Sequence, residues 1–225
     1  DKNTVKVIYI PALLLIAITL VSCNSNIKTI NEKEMVKLHG KSIVVVKYRK
    51  HLITLIEADK KGSSTKAEGK KQHESTSAVQ KNISDPALRI GENLKNELVN
   101  RFQMKVINAK IAPLESDNRR EMINVYRLKA DFILDFKTSE MGYLSYPNNA
   151  GKYRVKYLSR LKLINSKSRR IIVEADCHTF QGDDKNPPTK DRLLGNNARL
   201  LRSYLARSID LCTKKMSDKI FSSHL

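Results

Sequence analysis

Residues Tyr153–Ile164 read YRVKYLSRLKLI, with a period of two. Tyr153, Val155, Tyr157, Leu161 and Leu163 fall on one side of an extended chain, and Arg154, Lys156, Arg160 and Lys162 on the other. Successive side chains of a strand point to opposite faces of its sheet, so this pattern specifies a strand with one buried and one wet face. The alternation recurs on both sides. In Asp131–Thr138, DFILDFKT, Phe132, Leu134 and Phe136 oppose Asp131, Asp135 and Lys137. In Arg170–Thr179, RIIVEADCHT, Ile171, Val173, Ala175 and Cys177 oppose Glu174, Asp176 and His178. A turn-rich loop, SEMGYLSYPNNAGK, separates the first two segments, and a hairpin turn at Asn165–Arg169 the last two. The three strands therefore form an antiparallel meander with one apolar face. Its outer face mixes Arg154, Lys156, Arg160 and Lys162 with carboxylates, so cross-strand ion pairs are the plain reading of the basic row. The same row is the candidate contact for an anionic partner.

From Arg192 to about Phe221, Leu194, Ala198, Leu201, Leu205, Ile209, Cys212, Met216 and Ile220 recur at helical spacing, predicting one long helix that covers the meander. Cys177 lies on the apolar face of the last strand and Cys212 on the apolar stripe of this helix, so periodicity puts both in one layer. A disulfide is the first reading, and two separate buried thiols the other; the role is structural in both.

Upstream, Ser42–Tyr48, SIVVVKY, is a β-branched run whose consecutive valines call for burial on both faces, hence a central strand. His51–Glu57 is a second strand or the start of a helix. Residues 59–84 are rich in Lys, Ser, Gly and Gln and hold too little apolar surface to offset their ordering, so a mobile loop is expected. Asp85-Pro86-Ala87 starts a helix, with Asp85 as cap and Pro86 in the first turn. Ala87, Ile90, Leu94, Leu98 and Phe102 form its stripe. Met104–Ile107 is a short strand. Ser116–Lys129 is a helix capped by Ser116 or Asp117, with Met122, Ile123 and Tyr126 inward. The order predicts an α+β fold: a single domain over 42–221, its mixed sheet ending in the three-stranded meander under the C-terminal helix.

The first residues are of another kind. Lys2 and Lys6 precede Val7–Leu20, an uncharged run of 14 residues, followed by Leu20-Val21-Ser22-Cys23. Charged region, apolar region and small-residue site follow the order of a secretory signal, and the run is short of the ~20 residues a spanning helix needs. The last four residues resemble the bacterial lipobox at every position. That resemblance implies cleavage before Cys23, a diacylglyceryl group on its thiol and an acylated new amino terminus. Residues 1–22 are then a signal peptide and 23–41 a lipidated tether. Asn24 is compatible, in the enterobacterial sorting pattern, with the periplasmic face of the outer membrane.

The 225 residues carry a net charge of +19. Lys2, Lys6 and Asp1 account for +1 of it, leaving +18 after cleavage. Such a chain is drawn to polyanions. In an exported protein these are phospholipid heads, lipopolysaccharide or cell-wall polymer; nucleic acid fits the charge but conflicts with the signal. Lys60, Lys61, Lys66, Lys70, Lys71 and Lys81 form a second basic group, which an anionic surface would attract at about 1 kcal/mol per near-surface charge.

No serine-nucleophile elbow, phosphate loop or dinucleotide fingerprint occurs, and His39, His51, His73, His178 and His224 form no helical ligand pair. Asp183-Asp184 is read as loop surface. Tyr143 and Tyr146 either present a contact point or pack back on the sheet. The domain resembles, in element order, small periplasmic lipoproteins of the curli-secretion and penicillin-binding-protein-activator type. It is also similar to uncharacterised envelope lipoproteins in its Asp85-Pro86-Ala87 helix start, its Ala130-Asp131-Phe132-Ile133-Leu134 strand and Cys212. The resemblance implies a non-enzymatic envelope lipoprotein without cofactor, apart from covalent lipid on Cys23, that contacts envelope proteins or anionic polymers. The alternative is a lipid- or glycan-binding accessory, marked by an apolar pocket between meander and long helix. An envelope hydrolase would need carboxylates or histidines converging in a cleft.

Overall fold

The computed structural model describes residues 30–48, 57–58 (backbone only), 83–116, 118–146 and 148–221. The chain runs α1 (Glu32–Leu38), β1 (Ser42–Val45), β2 (Glu57–Ala58), α2 (Pro86–Phe102), β3 (Lys105–Val106), α3 (Arg119–Tyr126), β4 (Phe132–Tyr146), β5 (Asn149–Asn165), β6 (Ile171–Gln181) and α4 (Lys190–Phe221). This is an α+β domain built on one mixed sheet of order β3-β1-β4-β5-β6, with β2 also pairing β4. β1 lies parallel between β3 and the start of β4, and Ile43, Val44 and Val46 are buried, as the valine run requires. β4, β5 and β6 form the antiparallel meander.

The sheet has two unequal apolar layers. On one face α2 and α4 meet the meander: Ile90, Leu94 and Leu98 pack with Phe136, Tyr157, Leu161, Val173, Leu201, Leu205 and Met216. On the other, α3 brings Met122, Ile123 and Tyr126 onto Val44, Ile133 and Ile164. Gly91 permits close approach of α2, since a Cβ there would sit 3.3 Å from the Phe136 side chain.

Asp85 caps α2, accepting from the Ala87 amide at 2.9 Å, and Pro86 occupies the first turn. α3 is shorter than 116–129 and takes its cap from Asn118, whose Oδ1 accepts from the Arg120 and Glu121 amides; Ser116 Oγ instead bonds the Glu121 carboxylate. Residues 30–41, within the stretch assigned to the tether, carry α1. Its Asn31–Glu34 capping box is complete, and Ile30 and Leu38 are fully buried. Of the stretch 59–84, Ile83 is buried in the core and Ser84 is exposed, while 59–82 lie outside the described residues.

Two elements differ from the pattern-based expectation. The loop expected after Thr138 is strand: β4 continues to Tyr146 and pairs with β5 up to Tyr146↔Asn149. The register shifts between Thr138 and Glu140. That bulge inserts one residue and moves the buried set from Phe132, Leu134 and Phe136 to Met141 and Tyr143, which breaks the period of two. The long helix is also interrupted. Gly195 is extended, and Asn196, Asn197 and Ala198 have φ of 51°, 58° and 56°, the left-handed region. Asn tolerates that region better than other side-chain-bearing residues, so the Gly-Asn-Asn run is the sequence signal for the break.

Candidate functional site

Cys177 and Cys212 are joined in a disulfide, with Cα atoms 5.5 Å apart, and both are buried between β6 and α4. Cys23, and Lys60, Lys61, Lys66, Lys70, Lys71 and Lys81, lie outside the described residues.

The basic row of β5 is brought onto the outer face and largely matched by carboxylates. Lys162 pairs with Glu174 across the strands at 2.9 Å, and Lys156 with Glu140 at 2.7 Å. Arg160 reaches Asp135 at 3.3 Å, and Tyr48 Oη donates to the same carboxylate, so that Asp135 is 2% exposed. Arg154 instead lies 4.8 Å from the Phe180 ring and 5.8 Å from that of Tyr146. Burial, reinforced by the nearby Asp184, pushes the Tyr146 phenol up to about 12. Tyr143 packs into the core, edge-on to Tyr153. His39 stands edge-on to Phe102 and His178 is exposed. Asp183 Oδ1 accepts from the Lys185 and Asn186 amides and closes a turn.

A second basic locus, which sequence reasoning missed, lies where β1 and β4 begin and the β5–β6 turn closes. A cavity of about 510 Å³ opens there. Lys37 and Lys41 flank the end of α1, Arg127 follows α3, and Lys167 and Arg169 belong to the turn. Among the described residues none of the five is in an ion pair; the carboxylate lining the cavity is that of Asp131. It is committed to Ser42, accepting from its amide at 2.9 Å and its hydroxyl at 2.7 Å. These bonds, the amide first, hold the Asp131 carboxyl below its ordinary value, and the charge of Lys41 adds to the effect.

The turn is fixed by its own hydrogen bonds. Asn165 Oδ1 accepts from the Ser168 amide, Ser166 N donates to Asp131 O, and Arg119 donates to the Arg169 carbonyl. Ser166 lines the cavity, is 5% exposed, and its buried hydroxyl has no hydrogen-bond partner among the described residues. No motif marks this group, because its members come from three separate segments.

A second cavity, about 400 Å³, lies between β1, α2 and the residues after β3, with Val44, Ala87, Val106 and Phe136 among its lining. A third, about 420 Å³, lies beside the Asp183 turn under Tyr204 and Arg207. The expected site for an apolar ligand, between meander and long helix, is filled by Val173, Leu201, Leu205, Cys212 and their neighbours. Among the described residues no group of three or more His, Cys, Asp or Glu is placed to hold a metal ion, and no helix is long and apolar enough to cross a membrane.

No protein-family model and no curated protein matches the chain. Solved structures do align with it. The LpoB C-terminal domain from Salmonella enterica aligns at 14% identity over 63% of this chain and 83% of that one, with a TM-score of 0.29. The hypothetical protein CT253 from Chlamydia trachomatis aligns at 9% identity over 82% and 99%, with a TM-score of 0.37. Lipoprotein GNA1162 from Neisseria meningitidis aligns at 9% identity over 79% and 98%, with a TM-score of 0.35. At these scores no residue role and no activity carries over.

Proposed function

We propose that this protein is an exported, lipid-anchored module of the bacterial envelope that acts by contact and not by catalysis. The observation that carries the reading is the Cys177–Cys212 disulfide in a chain whose other cysteine, Cys23, ends a lipobox-like run. Structural disulfides belong to oxidising compartments, which agrees with the secretory order of residues 1–22. Three cysteines then have three assigned places, two in the bond and one under the lipid. Two or three acyl chains at ~0.8 kcal/mol per buried CH₂ make a lasting anchor. Six residues, and so seven Cα–Cα steps, separate Cys23 from Ile30. Fully extended they span at most about 25 Å, so an acylated Cys23 keeps α1 near the bilayer. The outer face of the meander and the loops of the domain are the surfaces offered to envelope proteins or anionic polymers.

Intact mass of the protein from its native membrane, before and after reduction with alkylation, tests this. The expected result is loss of residues 1–22, a gain matching two or three acyl chains, and two thiols that alkylate only after reduction. An unprocessed chain with freely alkylated cysteines overturns it.

A further inference from the structure

We infer that the cavity at the β5–β6 turn binds a phosphate group, held by Lys37, Lys41, Arg127, Lys167 and Arg169 around the hydroxyl of Ser166. Three observations converge on one place. First, five cations border a cavity of about 510 Å³ with the carboxylate of Asp131 as the acid lining it. On the sheet face the opposite holds, since Lys156, Arg160 and Lys162 are each matched by an acid. Five like charges set against one carboxylate repel one another, and a bound anion relieves that. Second, the turn is held by Asn165, Ser166 and Arg119, so Lys167 and Arg169 project from a fixed loop and lose less freedom on binding. Third, Ser166 lines the cavity, and its hydroxyl, buried just behind the wall, has no hydrogen-bond partner among the described residues. A buried donor left unsatisfied is costly, and an anion oxygen would satisfy it.

The volume exceeds that of one phosphate, so a phosphodiester with a small polar head also fits. Exposed Leu128, at the cavity edge beside Arg127, is placed to meet the apolar part of such a ligand. The shared chemistry is the phosphate; its source is a lipid headgroup or free phosphate. The inference goes beyond the anchoring proposal and stands without it, because no cavity residue depends on Cys23.

Titration calorimetry of the full chain as purified from membranes in neutral detergent tests it, whatever the state of Cys23. The probes are inorganic phosphate and dihexanoyl phosphatidylglycerol below its micelle concentration, in physiological salt. Saturable one-to-one binding of either probe is expected. Binding of the lipid alone identifies a headgroup site, and binding of phosphate alone a free-anion site. Arg127→Glu with Lys167→Glu should weaken binding at least about tenfold, and Ser166→Ala about threefold. Arg202→Glu with Lys215→Glu, the same charge change on exposed α4, should alter it less than about twofold. Absence of saturable binding to both probes overturns the inference. So does equal weakening by the two charge pairs, or full affinity in Ser166→Ala, since both mean diffuse attraction to a basic protein.

Discussion

Thr138 Oγ1 donates a hydrogen bond to Asp85 Oδ1, the same oxygen that caps α2 through the Ala87 amide. Tyr157 Oη lies 3.1 Å from Thr138 Oγ1. The single Thr138 proton goes to Asp85, so the fully buried Tyr157 must be the donor to Thr138. Burial first of all pushes the Tyr157 phenol up, which keeps that donor protonated. The cap of the first long helix is thus wired to the β4 bulge. Thr138→Val, which keeps the shape and removes the hydroxyl, should cost about 1–2 kcal/mol in urea unfolding, and Asp85→Ala a similar amount. The double variant should cost clearly less than the sum, since both changes break one chain of bonds. Full additivity would mean that the two ends of this chain act independently.

The disulfide closes a 35-residue separation between β6 and α4. In the chain-entropy account, removing it costs about 4 kcal/mol. A Cys177→Ala, Cys212→Ala variant should therefore melt well below the oxidised protein, and the wild-type chain under strong reductant should melt close to the variant. A variant that melts with the oxidised protein would show that the bond adds nothing to the packing of Val173, Leu205 and Met216 around it.

Ion pairs on the outer face should differ in weight according to exposure. Asp135 is buried and serves both Arg160 and Tyr48, whereas Lys214 and Asp218 pair in the open on α4. Asp135→Ala strips a buried carboxylate from two donors and should cost about 2–4 kcal/mol. Lys214→Ala should cost under about 0.5 kcal/mol and should lose even that in high salt. Urea unfolding at low and high salt separates the two.

Legibility from sequence followed the range of the pattern. Asp85-Pro86 started α2, the alternation in 153–164 gave the meander, and two periodicities placed Cys177 beside Cys212, because each is a local rule acting on neighbouring residues. The extension of β4 was hidden by one inserted residue near Ser139, which flips every later side chain. The break in α4 was overlooked because Leu194, Ala198 and Leu201 keep helical spacing across it. The basic cavity left no trace. Lys37, Arg127 and Lys167 meet only through the parallel pairing of β1 with β4 and the closure of the β5–β6 turn, and Ser166 looks like any other turn serine.

Asp131 joins the fold to that cavity, and its replacement should act on the two in opposite directions. Its carboxylate holds both the amide and the hydroxyl of Ser42, and its own amide donates back to Ser42 Oγ at 2.9 Å. The folded state therefore favours ionised Asp131, with a pKa below the ordinary 3.8. A depressed acid contributes stability that is present in full above its unfolded value and is lost as pH falls through the folded one. Asp131→Asn should thus be less stable than wild type at neutral pH, by about 1 kcal/mol at this exposed site. The gap should close below about pH 4. Ser42→Ala should raise the Asp131 pKa toward 3.8, as read by a carboxyl NMR titration. In the cavity the sign reverses: removing its lining carboxylate leaves the five cations unopposed, so Asp131→Asn should bind inorganic phosphate about two- to fivefold more tightly at pH 7. A variant both less stable and tighter binding would place Asp131 as the residue that moderates the cavity's charge while tying β1 to β4. Unchanged affinity would mean that Ser42 already neutralises its influence there.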